Sequence, residues 1–176
     1  MTFETARATE EYKALRATIR ERGTARICLF CGGMFSWGAL TLATAALAST
    51  PLAAILPLVV LAAIFEGIYA LHTGVERIGR YVQAFHEGAD PGWEHAAMAF
   101  GRPKGAASID ALFTVPFLLA AIVNVGPALF LNPTTEETIF VGGAHALFAV
   151  RLFFARATAA RQRDIDLTRF AELKRG

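Results

Sequence analysis

Two pairs of polar side chains lie inside long apolar stretches of this sequence, and their types limit the chemistry open to it. Glu66 is the first charged residue after Arg26, and Arg151 is the first after Glu137. A carboxylate in an apolar setting either gains and loses a proton or cation, or is held ionised by a cationic partner. At about 1.5 Å per residue, Glu66 counted from Leu52 and Arg151 counted from Thr138 both reach about 20 Å from the same side of a bilayer. Equal depth and opposite charge predict that they pair. The same arithmetic brings His145 and Asn124 to a common level, about 10 Å below the outer surface, as a neutral hydrogen-bonding pair.

Other constellations carry less. Cys28-x-x-Cys31 offers only two ligands, and cysteines in apolar helices behave as small apolar side chains. His72 and His145 differ in depth by about 20 Å, too far apart to ligate one haem iron from both sides. His86 and His95 with Glu87 and Glu94 match no metal spacing and read as solvated helix-end residues. His72-x-x-x-Glu76 places two polar groups on one helical face, a weak signal for lipid chemistry. Phosphate-loop, G-x-S-x-G and H-E-x-x-H patterns do not occur. The sequence therefore predicts no cofactor, no metal and no enzymatic activity.

The elements that position these residues follow from hydropathy. Of 176 residues 55% are hydrophobic, and the mean hydropathy is +0.43, more apolar than an ordinary soluble domain of this size. The uncharged run between Arg26 and Glu66 would make a straight helix of about 58 Å, roughly twice the hydrocarbon thickness. It must fold back, and Ser49-Thr50-Pro51 supplies the turn, with Thr50 as cap and Pro51 at the first helical position. Further apolar runs cover 111–135 and 138–150, the latter reaching spanning length only if Arg151 is included. The expectation is an all-α four-transmembrane-helix bundle, spans about 26–48, 51–73, 109–131 and 136–156, with cytoplasmic helical extensions. A three-span alternative leaves the fourth helix on the membrane surface.

All 17 Lys and Arg fall in the N-terminal segment, the 74–108 connection, or the end of helix four and its tail. By the positive-inside rule both termini and that connection are cytoplasmic. The net charge of +2 gives no reason to expect nucleic acid. The charged start of the chain is not a cleavable signal peptide. The Arg-rich, Ala-rich composition suits a GC-rich bacterial genome, and the expected location is a bacterial inner membrane.

In chain order, 1–25 reads as an amphipathic helix with a narrow stripe Ala8, Tyr12, Leu15 and Ile19, suited to packing on another cytoplasmic helix. Gly23-Thr24 is expected to bend the chain. Helix one is rich in small residues (Gly32, Gly33, Ser36, Gly38, Ala39, Ala43), which predicts an inner or dimer-facing helix. The second span continues without a break into a charged helix whose stripe Val75, Ile78, Val82 and Phe85 needs a partner: the N-terminal helix, the C-terminal tail or a second copy. Asp90-Pro91 should start a short helix led by Trp93, helix three is kinked by Pro116 and Pro127, and Thr134-x-x-Glu137 is a capping box. A faint echo relates Gly67-x-Tyr69-Ala70-Leu71 to Gly143-x-His145-Ala146-Leu147. The region 26–158 forms the membrane part, and 159–176 a helical tail.

These readings point to a non-enzymatic structural, accessory or interaction protein. It would contact the lipid bilayer and, through its cytoplasmic helices, a second copy or another membrane protein. The alternative is a small proton- or cation-coupled transporter or ion pathway built on Glu66.

Overall fold

The computed structural model describes residues 3–87, 92–100 and 110–175, and every element among them is helical. Helix α1 runs Phe3–Leu47, a 3-10 turn covers Pro51–Ala54, and α2 runs Ile55–Phe85. Then come the short α3 (Trp93–Phe100), α4 (Asp110–Phe130) and α5 (Thr135–Arg175). Asp90 and Pro91 lie outside the described residues. Three helices, α1, α2 with its preceding turn, and α5, are long and apolar enough to cross a membrane, and α4 carries a shorter apolar stretch, Thr114–Phe130.

The ends of these helices follow local chemistry. Thr50 is extended (φ −131°, ψ 137°), and its side chain accepts from the Leu52 N–H, with Pro51 starting the turn. Before α5, Glu137 accepts from the Thr134 N–H at 2.9 Å and Thr134 Oγ1 accepts from the Glu137 N–H at 3.3 Å, the reciprocal bonds of a capping box. Asn132, past the end of α4, adopts φ 51°, a left-handed conformation that asparagine tolerates and Pro133 then prevents from continuing as helix. Pro116 and Pro127 are accommodated inside α4.

Gly23-Thr24 does not interrupt the helix. Helix α1 continues through both, and Thr24 Oγ1 donates to the Arg20 carbonyl one turn back. A glycine costs a helix only about 1 kcal/mol, which good helix formers on either side offset.

The chain divides into two compact units. The first comprises Met1–Arg26, Ala70–Ile109 and Ala157–Gly176; the second comprises Ile27–Tyr69 and Asp110–Arg156. Helices α1, α2 and α5 each contribute one segment to both.

The second unit is built on Leu58, Leu61, Ile64, Phe65 and Ile68 of α2, Phe117, Ala120 and Ala121 of α4, and Phe148, Leu152 and Ala155 of α5. Phe65 is its centre, with edge-to-face rings from Phe117 at 5.3 Å and Phe148 at 6.1 Å. Helix α1 packs on this core from outside. Gly32, Ser36, Ala39 and Ala43 are exposed, and nothing lies within 4 Å of where a Gly32 side chain would begin. Within one chain, α1 is therefore an outer helix. Of the inner or dimer-facing position that its small residues predict, the inner one does not hold within one chain, because composition sets how closely a helix can approach a neighbour, not which face finds one.

Close approach is real at one point. A Cβ on Gly33 would lie 2.8 Å from both branches of Ile64, and one on Gly67 would lie 2.8 Å from Leu29 Cδ2. The two glycines thus form a reciprocal crossing of α1 and α2. At Gly67 only a leucine tip must yield, whereas Ile64 is β-branched and stiff. Gly33→Leu should lower stability by about 1–3 kcal/mol, and Gly67→Ala by less, measured as the unfolding midpoint of purified protein in detergent. Equal, negligible effects would show that the crossing is not tight.

Candidate functional site

In the second unit two polar constellations sit within apolar surroundings. The first is buried. Asn124 on α4 is 1% exposed, His145 on α5 and Thr41 on α1 each 7%, and Ala54 in the 3-10 turn 5%. Asn124 Nδ2 donates to the Ala54 carbonyl at 2.8 Å and lies 3.0 Å from His145 Nε2. His145 Nδ1 is 2.7 Å from the Val141 carbonyl, an acceptor only, so the ring proton belongs on Nδ1 and Nε2 offers a lone pair to Asn124. Thr41 Oγ1 lies 3.4 Å from Asn124 Oδ1 and 2.9 Å from the Trp37 carbonyl, its single proton shared between them. One amide thus joins α1, the turn, α4 and α5. Both ring nitrogens of His145 have partners, which fixes the orientation of the imidazole.

The second constellation is at the surface. Arg151 Nε and Nη2 meet the two carboxylate oxygens of Glu66, each at 2.8 Å, the parallel fork geometry of a bidentate pair. The guanidinium also lies over the Tyr69 ring at 4.8 Å and the Phe65 ring at 5.6 Å. The pair is only partly covered: 49% of the Glu66 side chain and 35% of Arg151 remain exposed.

The first unit holds a denser charge network. Arg80 on α2 is 1% exposed, reaching Asp166 on α5 at 3.0 Å and Glu76 at 3.3 Å. Asp166 also accepts from Arg77 Nε and Gln162 Nε2. Glu76 takes Arg163 Nη2 at 2.6 Å and faces His72 Nε2 at 3.8 Å. Arg26 Nη1 donates to His72 Nδ1 at 3.1 Å, which places the imidazole proton on Nε2, towards Glu76. Burial pushes the Asp166 carboxyl up, but the hydrogen bonds from Gln162, Arg77 and Arg80 outweigh it and hold the group below the usual aspartate value.

The remaining polar residues of this unit fasten helices together. Glu87 accepts from the backbone N–H groups of Glu94 and His95, and from His95 Nδ1 at 2.6 Å, so it caps α3. Burial pushes the Glu87 carboxyl up, but these bonds win and hold it below the ordinary value. Glu94 is buried beside Arg16, and burial pushes its carboxyl up against that charge. Tyr81 donates to Glu11, and that bond raises its phenol. Lys174 donates to the Ala84 carbonyl in the last turn of α2, where a cation also suits the helix dipole.

Of the residues singled out by sequence, Glu66 meets Arg151 and Asn124 meets His145. The stripe Val75, Ile78, Val82 and Phe85 is partly covered within the chain, with Val75 and Ile78 half-buried and Phe85 exposed. Val82 is fully buried, and Phe85 meets the Tyr81 ring at a tilt and the Phe170 ring of α5 edge-on. Tyr12 of α1 packs on His86. The chain's own N-terminal helix and tail thus meet this part of α2, and Phe85 remains partly exposed beside them. His86, His95, Glu87 and Glu94 form no metal-holding group among the described residues. Sequence reasoning missed Arg80 and Asp166, since an arginine on the polar face of an amphipathic helix reads as solvated. The available signal was the pair Gln162 and Asp166 at helical spacing on a tail otherwise rich in arginine.

Comparison with known proteins gives no match: no family model, no curated protein and no solved structure is similar to this chain.

Replacing Asn124 by Leu strands the Ala54 carbonyl and His145 Nε2, and should cost about 1–3 kcal/mol. His145→Leu should cost a similar amount, and the double variant less than the sum, read from denaturant titration of the protein in detergent. Additive losses would show that the two side chains do not act together. Because the Asp166 value is depressed in the folded chain, its stabilisation is present above the ordinary aspartate value of 3.8 and is lost as pH falls below it. The protection of α5 residues 160–170 against amide exchange, taken relative to the intrinsic rate at each pH, should therefore fall from pH 5 to pH 3 more in the native protein than in Asp166→Asn, which lacks the titrating group.

Proposed function

We propose that this chain is a multi-pass protein of a bacterial inner membrane with a non-enzymatic structural or accessory role. Its four apolar helical segments, α4 included, would span the bilayer, with both termini on the cytoplasmic side. The largely apolar surface of the second unit supports insertion, with Leu42, Leu47, Val59, Ile122, Val123, Phe130, Ile139 and Leu147 exposed in the protein alone. The confinement of lysine and arginine to one set of connections supports the orientation.

The observation that carries the non-transport reading is the bidentate pair. Both oxygens of Glu66 are taken by one guanidinium, whose planar fork matches the carboxylate. Releasing the carboxylate for a proton or cation would leave a cation in apolar surroundings. The pair is therefore read as a tie between α2 and α5. On the cytoplasmic side, Ile165 and Leu173 of the α5 tail are exposed and offer surface to a membrane-protein partner.

The half-exposure of Glu66 favours a second reading, in which the carboxylate exchanges a proton or cation from its open side and the chain is a small coupled transporter. Glu66→Gln separates the two. A tie predicts that Glu66→Gln and Arg151→Gln each destabilise the protein by about 1–3 kcal/mol and that their effects are coupled in a double-mutant cycle. A pathway predicts wild-type stability for Glu66→Gln with loss of pH-gradient dissipation in reconstituted vesicles.

A further inference from the structure

The exposed Glu66–Arg151 pair conflicts with the membrane reading of the second unit. On α2 the outward residues are Leu56, Val59, Ala63 and Glu66, spaced alternately by three and four, so they form one straight stripe. Leu147 flanks Arg151 on the outward side of α5 and is 71% exposed. The inner side of the guanidinium is covered by Tyr69 and Phe65. Its outer side, with half of the Glu66 side chain, faces away from the chain. At about 20 Å from the outer boundary, that side would meet hydrocarbon, which neither solvates nor hydrogen-bonds the charges.

We propose that this face is covered by a second copy of the chain, packed α2 and α5 against α2 and α5 about a twofold axis along the membrane normal. The inference rests on the reading that the second unit is inserted in a bilayer. The argument is charge complementarity. A patch that carries one carboxylate and one guanidinium side by side is complementary to itself after a half-turn, which sets Glu66 of each copy near Arg151 of the other. Four alternating charges then satisfy the sides that the chain leaves open. Ala63, one turn before Glu66, is small and exposed, and lets the partner helix come close enough for these side chains to reach. The heptad-like spacing of the stripe suits a shallow left-handed crossing, and one charged position in an otherwise apolar seam fixes its register. A lipid covering has no such match, since an anionic headgroup would meet the cation and the anion together.

The test uses disulfide formation in native membranes. Cys28 and Cys31 are first replaced by Ser, and Val59→Cys then reports the α2 seam, with Leu42→Cys on the exposed face of α1 as control. Efficient dimer formation through position 59 and little through position 42 is the expected result. Glu66→Arg or Arg151→Glu alone should reduce the position-59 dimer by about tenfold or more, because each makes a patch of one sign that repels itself. Co-expression of the two variants should restore the dimer as a mixed pair, and the double exchange in one chain should restore it as well. Dimers unaffected by either single change, or variants that do not recover when mixed, would overturn the charge-paired interface. Absence of a position-59 dimer in the otherwise native chain would overturn the proposal without any charge variant. Retention of the chain after carbonate washing, with no dimer, would sink this inference alone, whereas release of the chain would sink the membrane reading beneath it.

Discussion

Three helices of this protein change character partway along their length. Helices α1, α2 and α5 are apolar over one stretch and densely charged over the other, yet none is broken where the change occurs. A backbone that stays helical through such a change has its own hydrogen bonds satisfied throughout, so only the side chains must find a matching environment. The two compact units follow from this constraint. Each gathers the segments of one character, and the remaining features answer how polar side chains are satisfied inside each.

The two polar constellations of the second unit solve that problem in opposite ways. Asn124 and His145 are buried and hydrogen-bonded, and their value lies in direction. One amide reaches three other elements, including a carbonyl of the 3-10 turn. Such bonds contribute only about 1 kcal/mol each in an apolar bundle, but leaving one unmade costs more, and that asymmetry fixes register. Glu66 and Arg151 satisfy each other completely in geometry and only partly in burial. The energetic demand of that pair is therefore directed outward, beyond the single chain.

In the first unit the same economy uses charge in place of apolar contact. Arg80 is fully covered, and its two carboxylate partners are themselves held by Arg77, Arg163 and Gln162. A lone buried ion pair is weak support for a fold, because desolvation offsets most of the attraction. A network in which each carboxylate has several donors recovers that cost and ties α2 to α5 over a short amphipathic surface too small for a large apolar core.

Much of this was legible in the residues. The turn at Thr50-Pro51, the capping box of Thr134 and Glu137, and the continuation of α2 past its apolar half all rest on interactions within a few residues, where sequence and geometry are nearly the same thing. The rise per residue also put Glu66 level with Arg151 and Asn124 level with His145, because depth along a helix is a one-dimensional quantity. What the sequence left open was the direction each face turns. Whether α1 lies inside or outside the bundle, that Arg80 is buried rather than solvated, and that Glu87 accepts from the first turn of α3 depend on partners from separate parts of the chain. Helical periodicity states which residues share a face. Only the packing of one helix on another states what that face meets.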